Sequence, residues 1–134
     1  VTERADFGDV EVSAPIKNND GGLAGLFMRA RVTDDALAGY QARINASNPD
    51  PAKTGSLAGL APITTHLVGE DTWFDYTLRC IDEPDGTRIE IAIDGVLFTS
   101  YLDTERRHAR GAIALTHEHE GSRIEIERIE VREL

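Results

Sequence analysis

From Asp9 onward, outside residues 45–71, alternation with a period of two dominates the chain, and this restricts its fold more than any other feature. "DVEVSAP" (residues 9–15) sets Val10 and Val12 against Glu11 and Ser13, and "TRIEIAI" (residues 87–93) sets Ile89, Ile91 and Ile93 against Arg88, Glu90 and Ala92. Successive side chains point to opposite faces of a strand, so each run has one dry face and one wet face. No window shows a convincing helical period.

The breaks between runs carry turn chemistry: "KNNDGG" (residues 17–22), "DEPDG" (residues 82–86), Asp94-Gly95 and Glu120-Gly121-Ser122. Asp-Gly between two alternating runs is a strong hairpin signal. "LAGLFMRARV" (residues 23–32) is nearly all apolar apart from Arg29 and Arg31, which suits a central strand covered on both sides. "TDDALA" reads as a short loop and "GYQARI" (residues 39–44) as the strand that follows it. Eight or so strands with almost no helix predict an all-β chain, an antiparallel two-sheet β-sandwich of jelly-roll type. Residues 45–71 hold three prolines and three glycines and predict one long loop. In "RIEIERIEVREL" the apolar parity switches between Ile126 and Ile129. Keeping Ile124, Ile126, Ile129 and Val131 in the core requires a β-bulge near Glu127 or Arg128.

Composition narrows the function. At 134 residues the length suits one domain able to bury a core without staples. Fourteen basic residues against 24 acidic ones give a net charge of −10, which disfavours nucleic acid and anionic membranes. No apolar run approaches the roughly 18–20 residues that cross a bilayer, so membrane insertion is not expected. No signal peptide is visible in the sequence. Cys80 stands alone in "YTLRCI" and reads as a small buried hydrophobe.

In order, the segments "GLAGLFMR", "GYQARI", "TGSLAGLAP", "TWFDYTLRC", "IEIAIDGVLFTSYLD", "RGAIAL" and "IERIEVREL" resemble the 3-keto-disaccharide hydrolase family, from about Phe7 to Leu134. That resemblance implies a concanavalin-like jelly roll with the usual opening strand reduced or missing. It also implies a carbohydrate ligand, an oxidised disaccharide or glycoside, and a secreted or periplasmic location. The implied activity is cleavage of 3-keto-glycosides. The keto group acidifies the C2 proton, so abstraction, elimination and hydration break the glycosidic bond, with a base, an acid and enolate donors but no cofactor. Arg29, Trp73, Gly95 and residues 55–57 match the family. Gln41 stands where the family typically carries Glu, and Arg43 where it carries Gln. Thr116 and Glu118 stand at its Gln and His, and Glu127 and Arg128 at its Arg-Asn pair. A neutral amide is no general base at ordinary pH.

Arg29, Arg31, Gln41 and Arg43 form either a donor patch on one sheet face, with Arg29 and Arg43 as oxyanion donors, or solvated cover paired with carboxylates. Glu118 is the candidate base by parity with Thr116, Ala112 and Ala114; His66 or Asp71 in the long loop are the other options. Trp73 stacks on a sugar ring or anchors the core edge. His66 either lines the pocket or is solvated, and Thr116 is a further contact. His117 and His119 lie two residues apart but lack a third ligand fixed by spacing, so no metal is expected. Three functions remain open: a 3-keto-glycoside hydrolase or lyase, a non-catalytic carbohydrate-binding or interaction module, and a structural domain of a longer secreted protein.

Overall fold

A computed structural model describes residues 1–118 and 120–134. Among the described residues every regular element is a strand. The order is β1 (Val10–Asn18), β2 (Ala24–Thr33), β3 (Ala36–Ile44), β4 (Phe74–Glu83), β5 (Gly86–Ile93), β6 (Val96–Asp103), β7 (Ala112–His117), β8 (Ile124–Ile126) and β9 (Glu130–Glu133). All pairings are antiparallel. One sheet runs β6-β5-β4-β1-β8, with β9 also pairing β1; the second runs β3-β2-β7. The two-sheet sandwich read from the alternation is therefore the fold. Among the described residues no helix is long and apolar enough to cross a membrane.

The dry faces meet between the sheets. Val10, Val12, Ala14 and Ile16 of β1, Phe74, Tyr76, Leu78 and Cys80 of β4, and Ile89, Ile91 and Ile93 of β5 pack against Ala24, Leu26 and Met28 of β2, Tyr40, Ala42 and Ile44 of β3, and Ile113 of β7. Burial pushes the Cys80 thiol up to about 12, which leaves it protonated and unreactive. Strand β2 is covered on both sides as its composition predicts. Its outward Phe27 packs with Ala30, Ala112, Ala114 and Leu37 in a small second cluster.

Three boundaries differ from the sequence reading. Strand β3 begins at Ala36, because Asp34 and Asp35 adopt φ of 47° and 62° and close a two-residue hairpin where a longer loop is expected. Strand β1 continues into the Asn-rich stretch as far as Asn18. The last segment is two short strands. Ser13 faces Glu130 and Ile16 faces Ile126, so residues 127–129 stand against only Ala14 and Pro15. The extra residue required by the parity switch is there. Ile129 and Val131 nevertheless stay exposed, since this strand forms the open edge of the larger sheet.

Candidate functional site

The outer face of the three-stranded sheet is built from two rows. Arg43, Gly25 and Thr116 lie side by side across β3, β2 and β7, and Gln41, Phe27 and Ala114 form the next row. Gly25 has no side chain, and the room this leaves in the first row is taken by Gln41. A Cβ there would stand 2.1 Å from Gln41 Nε2 and 2.7 Å from its Cγ, so the Gln41 side chain lies across the glycine.

Glu118 follows β7 and donates its backbone N–H to the Leu23 carbonyl at 2.8 Å. Its carboxylate reaches across β2 to β3. Oε1 accepts from Gln41 Nε2 at 2.5 Å, and Oε2 forms a close ion pair with Arg43 Nη1. Arg43 extends its other terminal nitrogen to Asp50 Oδ2 at 3.1 Å, so one guanidinium is clamped between two carboxylates. Its side chain is 12% exposed and those of Asp50 and Glu118 about a third, so the clamp opens to solvent through the acids.

Asp50 comes from the long loop, which is ordered by its own side chains. Asn45 Nδ2 donates to the carbonyls of Asp50 and Ala52, both at 3.0 Å, and Asn45 Oδ1 accepts from the Asn48 N–H at 2.9 Å. Asn48 Oδ1 takes the Asp50 N–H and Asp50 Oδ1 takes the Ala52 N–H, both at 2.9 Å. Short Asn and Asp side chains bonding nearby backbone replace the missing ladder. Buried Tyr76 closes the loop onto β3, accepting from the Gly55 N–H at 2.9 Å and donating to the Arg43 carbonyl at 2.7 Å.

Of the residues singled out in the sequence, Gln41, Arg43, Thr116 and Glu118 share this face, and Arg29, Arg31, Trp73, His66 and Asp71 do not. Arg29 is a correction: its side chain is fully buried and cannot be a surface donor. It sits at φ 54° in a bulge of β2. Gly39 and Gly111 let that bulge in, since a Cβ on either would stand within 3 Å of the bulged backbone. The bulge turns the guanidinium inward, where it bonds Asp82 at 3.0 Å, Asp9 at 3.3 Å and the carbonyls of Gly8 and His108 at 3.1 Å each. Arg31, after the bulge, pairs with Ala38 at the exposed hairpin end, away from Gln41 and Arg43. Trp73 precedes β4, on the other sheet, where its indole stands beside Lys17. His66 is exposed on the loop with Nδ1 2.7 Å from the Ala46 carbonyl. Asp71, the other loop option for a base, donates its N–H to the Asn18 carbonyl at the end of β1. The His117 and His119 pair falls partly outside the described residues, which exclude His119.

Sequence reasoning missed Asp50 and Gly25. The Asx-Pro run "SNPDP" and a glycine interrupting an apolar strand were the available signals.

The architecture defines a jelly-roll-type β-sandwich with a polar clamp on its smaller sheet. The chain belongs to the 3-keto-alpha-glucoside-1,2-lyase-like domain family, whose sequence model matches residues 1–132, and it is a carbohydrate-related domain. None of the curated proteins matches it. Among solved structures it resembles the carbohydrate-binding module CBM66 from Bacillus subtilis, with a TM-score of 0.68 at 17% identity over 96% of this chain and 77% of that one. It also resembles the alginate lyase Aly36B, with a TM-score of 0.52 at 10% identity over 96% and 71% of the two chains. A mutant of that lyase in complex with alginate trisaccharide aligns with a TM-score of 0.53 at 11% identity, over 96% and 72%. At these identities the likeness is one of fold.

Proposed function

We propose that the outer face of the β3-β2-β7 sheet is a carbohydrate-recognition surface, and that its work is binding rather than bond cleavage. One observation carries this reading: both carboxylates of the clamp already accept donors on both oxygens. Glu118 is held by Gln41 and Arg43, and Asp50 by Arg43 and the Ala52 N–H. Those donors hold the two carboxylates in place as acceptors, each oxygen keeping a lone pair for a hydroxyl, while Gln41, where the resembled family carries Glu, offers only an amide and no base. Sugar hydroxyls both donate and accept. A ring laid on this face beside the Gln41 amide therefore exchanges hydrogen bonds with Glu118 and Asp50 as acceptors and Gln41 and Arg43 as donors, with Thr116 at the rim. A secreted or periplasmic place of work accords with such a ligand.

A second reading, cleavage of 3-keto-glycosides, is favoured by the family and by the Arg43–Glu118 contact. A developing enolate oxygen draws the guanidinium away and frees Glu118 Oε2 to take the C2 proton. The C1–oxygen bond to the leaving group then breaks, the departing oxygen takes a proton from water, and a second water adds across the new double bond.

Calorimetric titration with a 3-keto-glucoside and its unoxidised parent, beside an assay for released aglycone, separates the readings. Saturable binding without release is expected. Arg43→Ala weakens it at least tenfold, about 1.4 kcal/mol. Gly25→Ala does the same with little change in melting temperature, because its new Cβ meets the Gln41 side chain from Cγ outward, which can rotate into solvent. Aglycone release that drops a hundredfold in Glu118→Gln establishes the cleavage reading. Neither binding nor release overturns both.

A further inference from the structure

The outer face of the larger sheet carries a feature that the clamp on the opposite sheet leaves unexplained. Trp73, Asp75 and Thr77 alternate outward along the β4 segment, beside Ser13, Pro15 and Lys17 on β1; Pro15 faces Asp75 and Ser13 faces Thr77. Pro15 has no N–H to give, and it lies where the edge strand breaks between Ile126 and Glu130. The sheet is therefore unsealed there, and the bulged residues 127–129 form a wall instead of a ladder.

Two adjoining hollows result. One, of about 150 Å³, is lined by Trp73, Pro15, Asp75 and Glu127. The other, of about 310 Å³, shares Pro15 and Asp75 and reaches Ser13, Thr77 and Arg128. Trp73 is 43% exposed, a large indole left in water at the mouth of a cleft. The Lys17 ammonium stands 5.5 Å from its ring centroid and also lines a further hollow of about 280 Å³. The Asp75 carboxylate has no hydrogen-bond partner among the described residues, although its own N–H is bonded to Asp94.

We infer that this trough is a second saccharide-binding site, which holds a neutral oligosaccharide with one ring stacked on Trp73 and its hydroxyls on Asp75 and Glu127. Indole faces take the C–H face of a pyranose, and exposed carboxylates accept paired hydroxyls. Asp75, Asp94, Glu127 and Glu130 outnumber Arg128 and Lys17 along the trough, so a polyanionic chain is repelled. The site is independent of the clamp, because it lies on the other sheet.

Trp73 is the only tryptophan in the chain, so its fluorescence reports on this cleft alone. The experiment titrates the protein with neutral glucose and fructose trisaccharides, with an anionic trigalacturonate and with a cationic chitosan trimer. A saturable change in Trp73 emission with at least one neutral trisaccharide is expected. It should be retained in Arg43→Ala and weakened at least tenfold in Asp75→Ala, with circular dichroism showing an intact fold. Trp73→Ala should abolish the corresponding calorimetric signal. Emission unmoved by every neutral trisaccharide overturns the inference. So does a response confined to a charged trimer, or one lost in Arg43→Ala.

Discussion

Arg29 and Gln41 lie on neighbouring strands and share a polar character in the sequence, yet the structure gives them opposite fates. Arg29 is a buried tie between Asp9, Asp82 and the carbonyls of Gly8 and His108. Gln41 lies on the surface over Gly25. Alternation carried both residues outward on paper, and it is right for Gln41, Arg43, Thr116 and Glu118. It fails at Arg29 because one bulged residue reverses the facing of everything that follows it. The bulge has no local signature, since Gly39 and Gly111, which make room for it, are remote from it in sequence. Arg29→Ala removes the partner of two carboxylates at the sandwich end. It should lower stability by about 2–3 kcal/mol in a denaturant titration, because the carbonyls of Gly8 and His108 lose their donor and the fully buried stem leaves a cavity. Sugar binding by the refolded variant should stay within twofold of the parent, because the guanidinium does not reach the surface.

At the scale of elements, the hairpins were legible and the long loop was not. Asp94 and Gly95 adopt φ of 50° and 79° and join β5 to β6 as their dipeptide predicts. Composition marked residues 45–71 as irregular but said nothing of where Asp50 would point. That is decided by Asn45, whose side chain makes three bonds to loop backbone, and by Tyr76, which pins the loop onto β3. Asn45→Ala should cost roughly 2 kcal/mol from those bonds. It should also speed amide exchange in residues 48–53 ahead of the strands, and weaken binding at the clamp by freeing Asp50. Exchange unchanged in that segment would show that Tyr76 alone orders the loop.

For the molecule as a whole, the two sheets close around buried charge at one end as well as around hydrocarbon. Asp103 is fully buried on the inner side of β6. Burial alone would raise its pKa. The Tyr40 hydroxyl at 2.7 Å and the N–H groups of Arg107 and Glu105 outweigh that and hold it below the ordinary carboxylate value. A carboxyl depressed in the folded state contributes stability that is present above its unfolded value and lost as pH falls through the folded one. Asp103→Asn should therefore destabilise by about 2 kcal/mol at pH 7, with the difference from the parent shrinking below about pH 4, as followed by thermal melts across that range. A constant difference at all pH values would mean that the carboxylate's charge is not what matters there. The sequence by itself determined the all-β class, the hairpins, the apolar face of almost every strand, the extra residue near Glu127 and the family resemblance. Those are local or periodic properties, and a period of two needs no knowledge of partners. Only the tertiary structure decided which sheet each strand joins. That allotment buried Arg29, brought Asp50 to Arg43, and set Trp73 on the sheet opposite the clamp, because contacts between residues distant in the chain are made by packing rather than by pattern.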